Sequence, residues 1–114
     1  MTYTGGCHCG RIRFEVRGDL SKVTECNCSI CGKSGFVHWR VEPEQVRLLT
    51  PESGMATYRW HTGLAKHHFC PVCGVAPLRV PRADQTKMTV NVRCLDNIDL
   101  GKLEIVQFDG RRWD

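Results

Sequence analysis

The chain has 114 residues, 41% of them hydrophobic and 25% charged, with 16 lysines and arginines against 12 aspartates and glutamates and a formal net charge of +4. That length is one domain's worth, expected over residues 1–114, and too short for two. No apolar run is long enough to span a membrane, and the scattered arginines (Arg11, Arg13, Arg17, then Arg79, Arg82, then Arg111, Arg112) give little support to nucleic-acid binding.

The N-terminal Met1-Thr2-Tyr3-Thr4-Gly5-Gly6 lacks the basic start and apolar core of a secretory signal. A cytoplasmic location is the expectation. Arg11–Arg17 alternates, with Ile12, Phe14 and Val16 on one face, and predicts a half-buried strand ended by Gly18-Asp19. Ser29–Ser34 predicts a short turn of helix. Val37–Val41 predicts a strand closed by Glu42-Pro43-Glu44. Val46–Leu49 and the stretch 55–60 predict a hairpin across Thr50-Pro51-Glu52-Ser53-Gly54. Strands are also expected over Leu64–Phe69, Val75–Val80, Met88–Val92 and Leu103–Val106. Short strands with regular turn signals and no sustained helical period predict an all-β fold of packed, short antiparallel sheets with little helix.

Seven of the eight cysteines cluster: Cys7 and Cys9, then Cys26, Cys28 and Cys31, then Cys70 and Cys73. In a reducing compartment such spacing argues for metal ligation over disulfides. A secreted disulfide scaffold is the competing reading, and the awkward Cys-x-Cys pair speaks against it. Two pairs supply the four ligands of a closed structural zinc site. Gly74 permits the positive φ of a zinc-knuckle turn, and Pro71 stiffens it. His8, between two ligands, could compete for the metal but is expected to point away. Seven thiolates around two Zn²⁺ subtract three charges and leave the chain near +1.

The triple is one ligand short. In an extended segment Cys26 and Cys28 point the same way, and a following turn returns Cys31 toward them. Three protein ligands with an open vertex are how catalytic zinc is built, and thiolate-rich ligation suits a soft sulfur substrate. Closure by a fourth protein ligand is the alternative, with His38, His61, His67, His68 and Cys94 as candidates. His67 and His68, close before Cys70, are expected to flank the structural site. Cys94 is expected as a buried small residue. Lys33, Ser34 and Phe36 are expected where a substrate would approach.

The segments Gly6-Cys7-His8-Cys9-Gly10, Cys26-Asn27-Cys28-Ser29-Ile30-Cys31 and Phe69-Cys70-Pro71-Val72-Cys73-Gly74, with Val90–Asp96 and the closing Phe108-Asp109-Gly110-Arg111-Arg112-Trp113, resemble the glutathione-dependent formaldehyde-activating enzyme family, which includes centromere protein V. The resemblance implies a zinc-stapled β-tent fold. It implies a structural zinc on Cys7, Cys9, Cys70 and Cys73 and a catalytic zinc on Cys26, Cys28 and Cys31. It further implies a carbon–sulfur lyase acting on a thiol–aldehyde adduct such as S-(hydroxymethyl)glutathione, with glutathione as the thiol partner. The alternatives are a zinc-stabilised binding module and a thiol or metal sensor whose second zinc is labile. Iron in place of zinc is compatible with thiolate ligation.

Overall fold

The computed structural model describes residues 1–59 and 62–113. Its strands are β1 (Thr2–Gly6), β2 (Arg13–Arg17), β3 (Lys22–Cys26), β4 (Val37–Val41), β5 (Val46–Leu48), β6 (Ala56–Tyr58), β7 (Lys66–Phe69), β8 (Leu78–Val80), β9 (Met88–Asn91) and β10 (Glu104–Phe108). One α-helix, α1 (Ser29–Ser34), is found among the described residues, at the place its sequence predicts. The class is mainly β, as expected. A three-stranded sheet has the order β1-β2-β5, and a seven-stranded sheet runs β10-β3-β4-β9-β8-β7-β6.

Period-two alternation gives the larger sheet two different faces. Val23, Val37, Trp39, Val41, Leu78 and Val90 cover one face and form the core with Phe14 and Val16 of the small sheet. Tyr3 of β1 meets Trp39 of β4 edge-on, ring centroids 5.7 Å apart, which links the two sheets. The opposite face is polar. The register pairs His67 with Arg79, Arg79 with Thr89 and Thr89 with Arg40 across β7, β8, β9 and β4. Directly paired residues share a face, so this row stands on the side away from the core, beside Thr24, Cys26 and His38.

Three expectations are corrected. The expected hairpin between Val46–Leu49 and 55–60, of which residue 60 lies outside the described residues, does not form, because β5 pairs with β2 and β6 pairs with β7, in different sheets. The connecting residues bond to the start of β2 instead: Leu49 N–H donates to the Arg13 carbonyl at 2.8 Å, and Thr50 Oγ1 accepts from Arg13 N–H at 3.0 Å. The last strand is not antiparallel. β10 lies parallel to β3, from Glu104 opposite Lys22 to Phe108 opposite Cys26. Finally, β1 and β3 were not expected. Two glycines disguise β1 as loop, yet a Cβ at Gly6 would meet the Ile12 carbonyl oxygen at 2.1 Å, so the close strand contact requires glycine there. β3 has a single buried apolar residue, Val23, which is too little for a periodic signal.

Candidate metal centres

The first cluster joins two tight turns from distant parts of the chain. Cys7 and Cys9 follow β1; Cys70 and Cys73 follow β7, where Gly74 has φ 81° and its N–H donates to the Cys70 carbonyl at 2.8 Å. All four sulfurs lie within 4.8 Å of one another. The Cys7–Cys9 and Cys9–Cys70 separations are 3.7 and 3.6 Å. Tetrahedral zinc with bonds of about 2.3 Å places its sulfurs about 3.8 Å apart, so the four thiols fit the ion. Backbone amides surround the cluster. Ile12 N–H donates to Cys7 Sγ at 3.3 Å, and Val72 and Cys73 N–H each donate to Cys70 Sγ at 3.4 Å. The N–H groups of Val75 and Cys9 pull the Cys73 thiol down to about 6, which favours the ligating thiolate.

Cys94 stands near this cluster and apart from the triple. It is half-buried, within 3.9 Å of the Ala76 carbonyl, and burial, with Cys7 and Cys73 nearby, pushes its thiol up to about 12. His8 is exposed. All eight cysteines are free of disulfides.

The second cluster is built where β3 runs into α1. Cys26 ends the strand, Cys28 caps the helix in an extended conformation, and Cys31 sits in the helix with its carbonyl bonded to Gly35 N–H at 3.0 Å. The three sulfurs lie within 4.8 Å of one another, and among the described residues no other ligand atom joins that group. The three thiols fit a metal with one open position. The C-terminal turn packs on them: Asn27 Oδ1 accepts from Gly110 N–H at 2.8 Å and Arg111 N–H at 3.3 Å. A Cβ at position 110 would lie 2.4 Å from Cys26 Sγ and 3.0 Å from Cys28 Cβ, so only glycine fits there.

Besides the Cys28 amide at Cys26, side chains from distant strands serve this cluster. Arg79 is 4% exposed and donates to Cys31 Sγ at 3.1 Å, while its guanidinium carbon lies 4.0 Å from the Phe36 ring centroid. His38 Nε2 is 3.3 Å from Cys31 Sγ. Burial, then Arg79 and Arg40, lower His38 to about 3, which keeps its imidazole neutral. Burial raises the Cys26 thiol and pushes Cys31 up to about 12 against the pull of Arg79.

The triple opens on a cavity of about 480 Å³. Arg40, Arg79, Arg82, His38 and His67 line it, and among the described residues no carboxylate does. His67 therefore belongs to the triple's cavity and does not flank the structural site, because strand alternation turns it to the polar face. His68, its neighbour, points the other way and bonds Thr57 Oγ1 at 2.9 Å. Of the expected fourth ligands, His38 reaches Cys31 alone, His67 and His68 do not join the group, and His61 lies outside the described residues. Phe36 is buried beneath Arg79 and is not a substrate-facing group. Lys33 and Ser34 are exposed; Lys33 and Arg111 border a second depression beside Cys28.

Residues 2–108 match the family model described as glutathione-dependent formaldehyde-activating enzyme. Among solved structures, a protein of Rhodobacter sphaeroides is similar at 27% identity and TM-score 0.80, with 90% of this chain and 99% of that chain covered. The chain belongs to the glutathione-dependent formaldehyde-activating enzyme family.

Proposed function

We propose, from that membership, that the chain is an enzyme of carbon–sulfur lyase type that forms and cleaves a thiol–aldehyde adduct such as S-(hydroxymethyl)glutathione at Cys26, Cys28 and Cys31. The observation that carries the reading is, among the described residues, a three-thiol cluster with no fourth ligand atom that faces a cavity lined by three arginines and no carboxylate. Zinc held by those thiols would supply a Lewis acid that keeps a substrate thiol as thiolate at neutral pH.

The chain's own residues provide the rest. Arg40 and Arg82 give the cavity a positive potential matched to the carboxylates of a peptide thiol. Arg79 orients Cys31 and offsets the negative charge of the thiolate set. Gly110 and Asn27 close the C-terminal turn over Cys26 and hold the cluster in shape. Cys7, Cys9, Cys70 and Cys73 hold a structural zinc that staples β1 to β7, and eight free thiols suit a reducing compartment such as the cytoplasm.

The test compares wild type with Cys28→Ser for acceleration of adduct formation from glutathione and formaldehyde over the uncatalysed rate. The variant is expected to lose turnover while keeping its melting transition. A wild type with no acceleration, or a Cys28→Ser variant with full turnover, rejects the reading. Elemental analysis of the purified protein distinguishes zinc from iron.

A further inference from the structure

The polar face of the large sheet holds an imidazole that neither cluster uses. His67 is 6% exposed, and neither Nδ1 nor Nε2 has a hydrogen-bond partner among the described residues. Among the described residues the other imidazoles differ: His38 meets Cys31, His68 meets Thr57, and His8 is exposed. Buried polar atoms are nearly always paired, so an unpaired one that lines a cavity marks a ligand position. His67 lines the cavity of the triple, and its paired neighbour across the strands is Arg79, whose guanidinium reaches Cys31 Sγ at 3.1 Å. One side chain thus separates His67 from the thiols.

We propose that His67 is a catalytic residue whose imidazole N–H hydrogen-bonds the oxygen that is carbonyl in the aldehyde and hydroxyl in the adduct. The inference rests on the thiol–aldehyde reading above. In adduct formation the sulfur–carbon bond forms, the carbonyl π pair moves onto oxygen, and the proton lost by the thiol reaches that oxygen through water. No oxidant or reductant is needed. A donor already aimed at the oxygen stabilises charge as it develops. Burial, with Arg79 and His68 beside it, lowers His67 to about 4, so the ring is a neutral donor and acceptor at pH 7. That matches an oxygen uncharged in both substrate and product. Arg79 and His38 are committed to Cys31, and the arginine charges suit carboxylates.

The experiment uses the full, metal-loaded chain with His67→Phe and His67→Gln. In His67→Phe, kcat for adduct formation should fall about 100-fold while the KM for glutathione stays within about 3-fold, the signature of a contact made chiefly in the transition state. His67→Gln, which keeps an N–H donor, should recover much of the loss. Metal content and melting temperature should match wild type in both. Independently, the His67 ring ¹⁵N resonances of the wild type should stay in place with glutathione alone and shift with glutathione plus formaldehyde. Unchanged kcat in a metal-replete His67→Phe overturns the role of His67 and leaves the enzyme reading standing. A wild type without turnover overturns the enzyme reading instead, and unmoved ring resonances then overturn the His67 contact as well. Should His67→Phe fail to fold, the glutamine variant and the resonances decide.

Discussion

The two thiol clusters of this small protein are held by different means. Cys7, Cys9, Cys70 and Cys73 sit among backbone amides of their own tight turns, with Ile12, Val72 and Cys73 N–H aimed at sulfur and Cys73 drawn down to about 6. Cys26, Cys28 and Cys31 have side chains brought from distant strands, and burial pushes Cys31 up to about 12. Amides within a turn are fixed once the turn forms, so the first cluster is held in the geometry of a bound ion, although its Cys9 thiol stands at about 11. The second is shaped by the sheet around it and keeps room on one side. The first cluster joins two distant turns of the fold, whereas the second is framed by arginine, histidine and a close-packed glycine.

The largest effect that sharpens this comparison is Cys70→Ser. A structural zinc contributes on the order of 10 kcal/mol, comparable to the whole stability of a domain. The variant should lose its cooperative melting transition, whereas a folded Cys70→Ser protein with one metal per chain would break the contrast. Next comes Gly110→Ala. The added methyl would stand 2.4 Å from Cys26 Sγ, and such overpacking costs about 1–3 kcal/mol. The variant should fold with a lowered melting temperature and hold one metal per chain instead of two, as metal analysis would show.

Arg79→Met should act more gently. It keeps much of the buried volume but removes the donor to Cys31 and the stacking on Phe36. Loss of such a supporting group typically weakens metal affinity about 10–100-fold, measurable by chelator competition at the second cluster, with the first cluster unaffected. The smallest effect concerns Asp96, which ties β1 and β2 together through Arg13 at 2.5 Å and Thr4 at 2.9 Å. Arg13, then Thr4, hold its carboxyl below the ordinary carboxylate range. Its stabilisation is therefore present above about pH 4 and disappears as pH falls through the lower folded value. The pair is half exposed, so it contributes less than about 1 kcal/mol. Asp96→Asn should flatten that acid limb of the stability profile and leave the melting temperature at pH 7 almost unchanged.

Much of this contrast is legible in the cysteine spacing alone. Two pairs and a triple give a set of four and a set of three, and the structure brings together those same sets. The strands of β2, β4 and β9 and helix α1 are likewise written in local alternation and turn residues. What surrounds the triple is not local. His67 and Arg79 lie on separate strands, and their place in the cavity of the triple depends on the order β3-β4-β9-β8-β7, which no short window encodes. Gly110 is 79 residues beyond Cys31 in the chain, and its role arises because β10 runs parallel to β3. One sequence signal does point to the polar face. Within β7 and β8, His67 and Arg79 alternate with Leu78 and other core-directed positions, and a buried charged residue in an otherwise apolar strand marks a site.

The contrast between a closed and an open cluster is tested most directly by loading the protein with cobalt(II) in place of zinc and titrating it with glutathione. The account predicts that the thiolate-to-cobalt charge-transfer band grows by the contribution of one added sulfur ligand and saturates at one glutathione per chain. That growth should be absent in Cys28→Ser. A spectrum that glutathione leaves unchanged would mean that both clusters are closed, and would contradict the account.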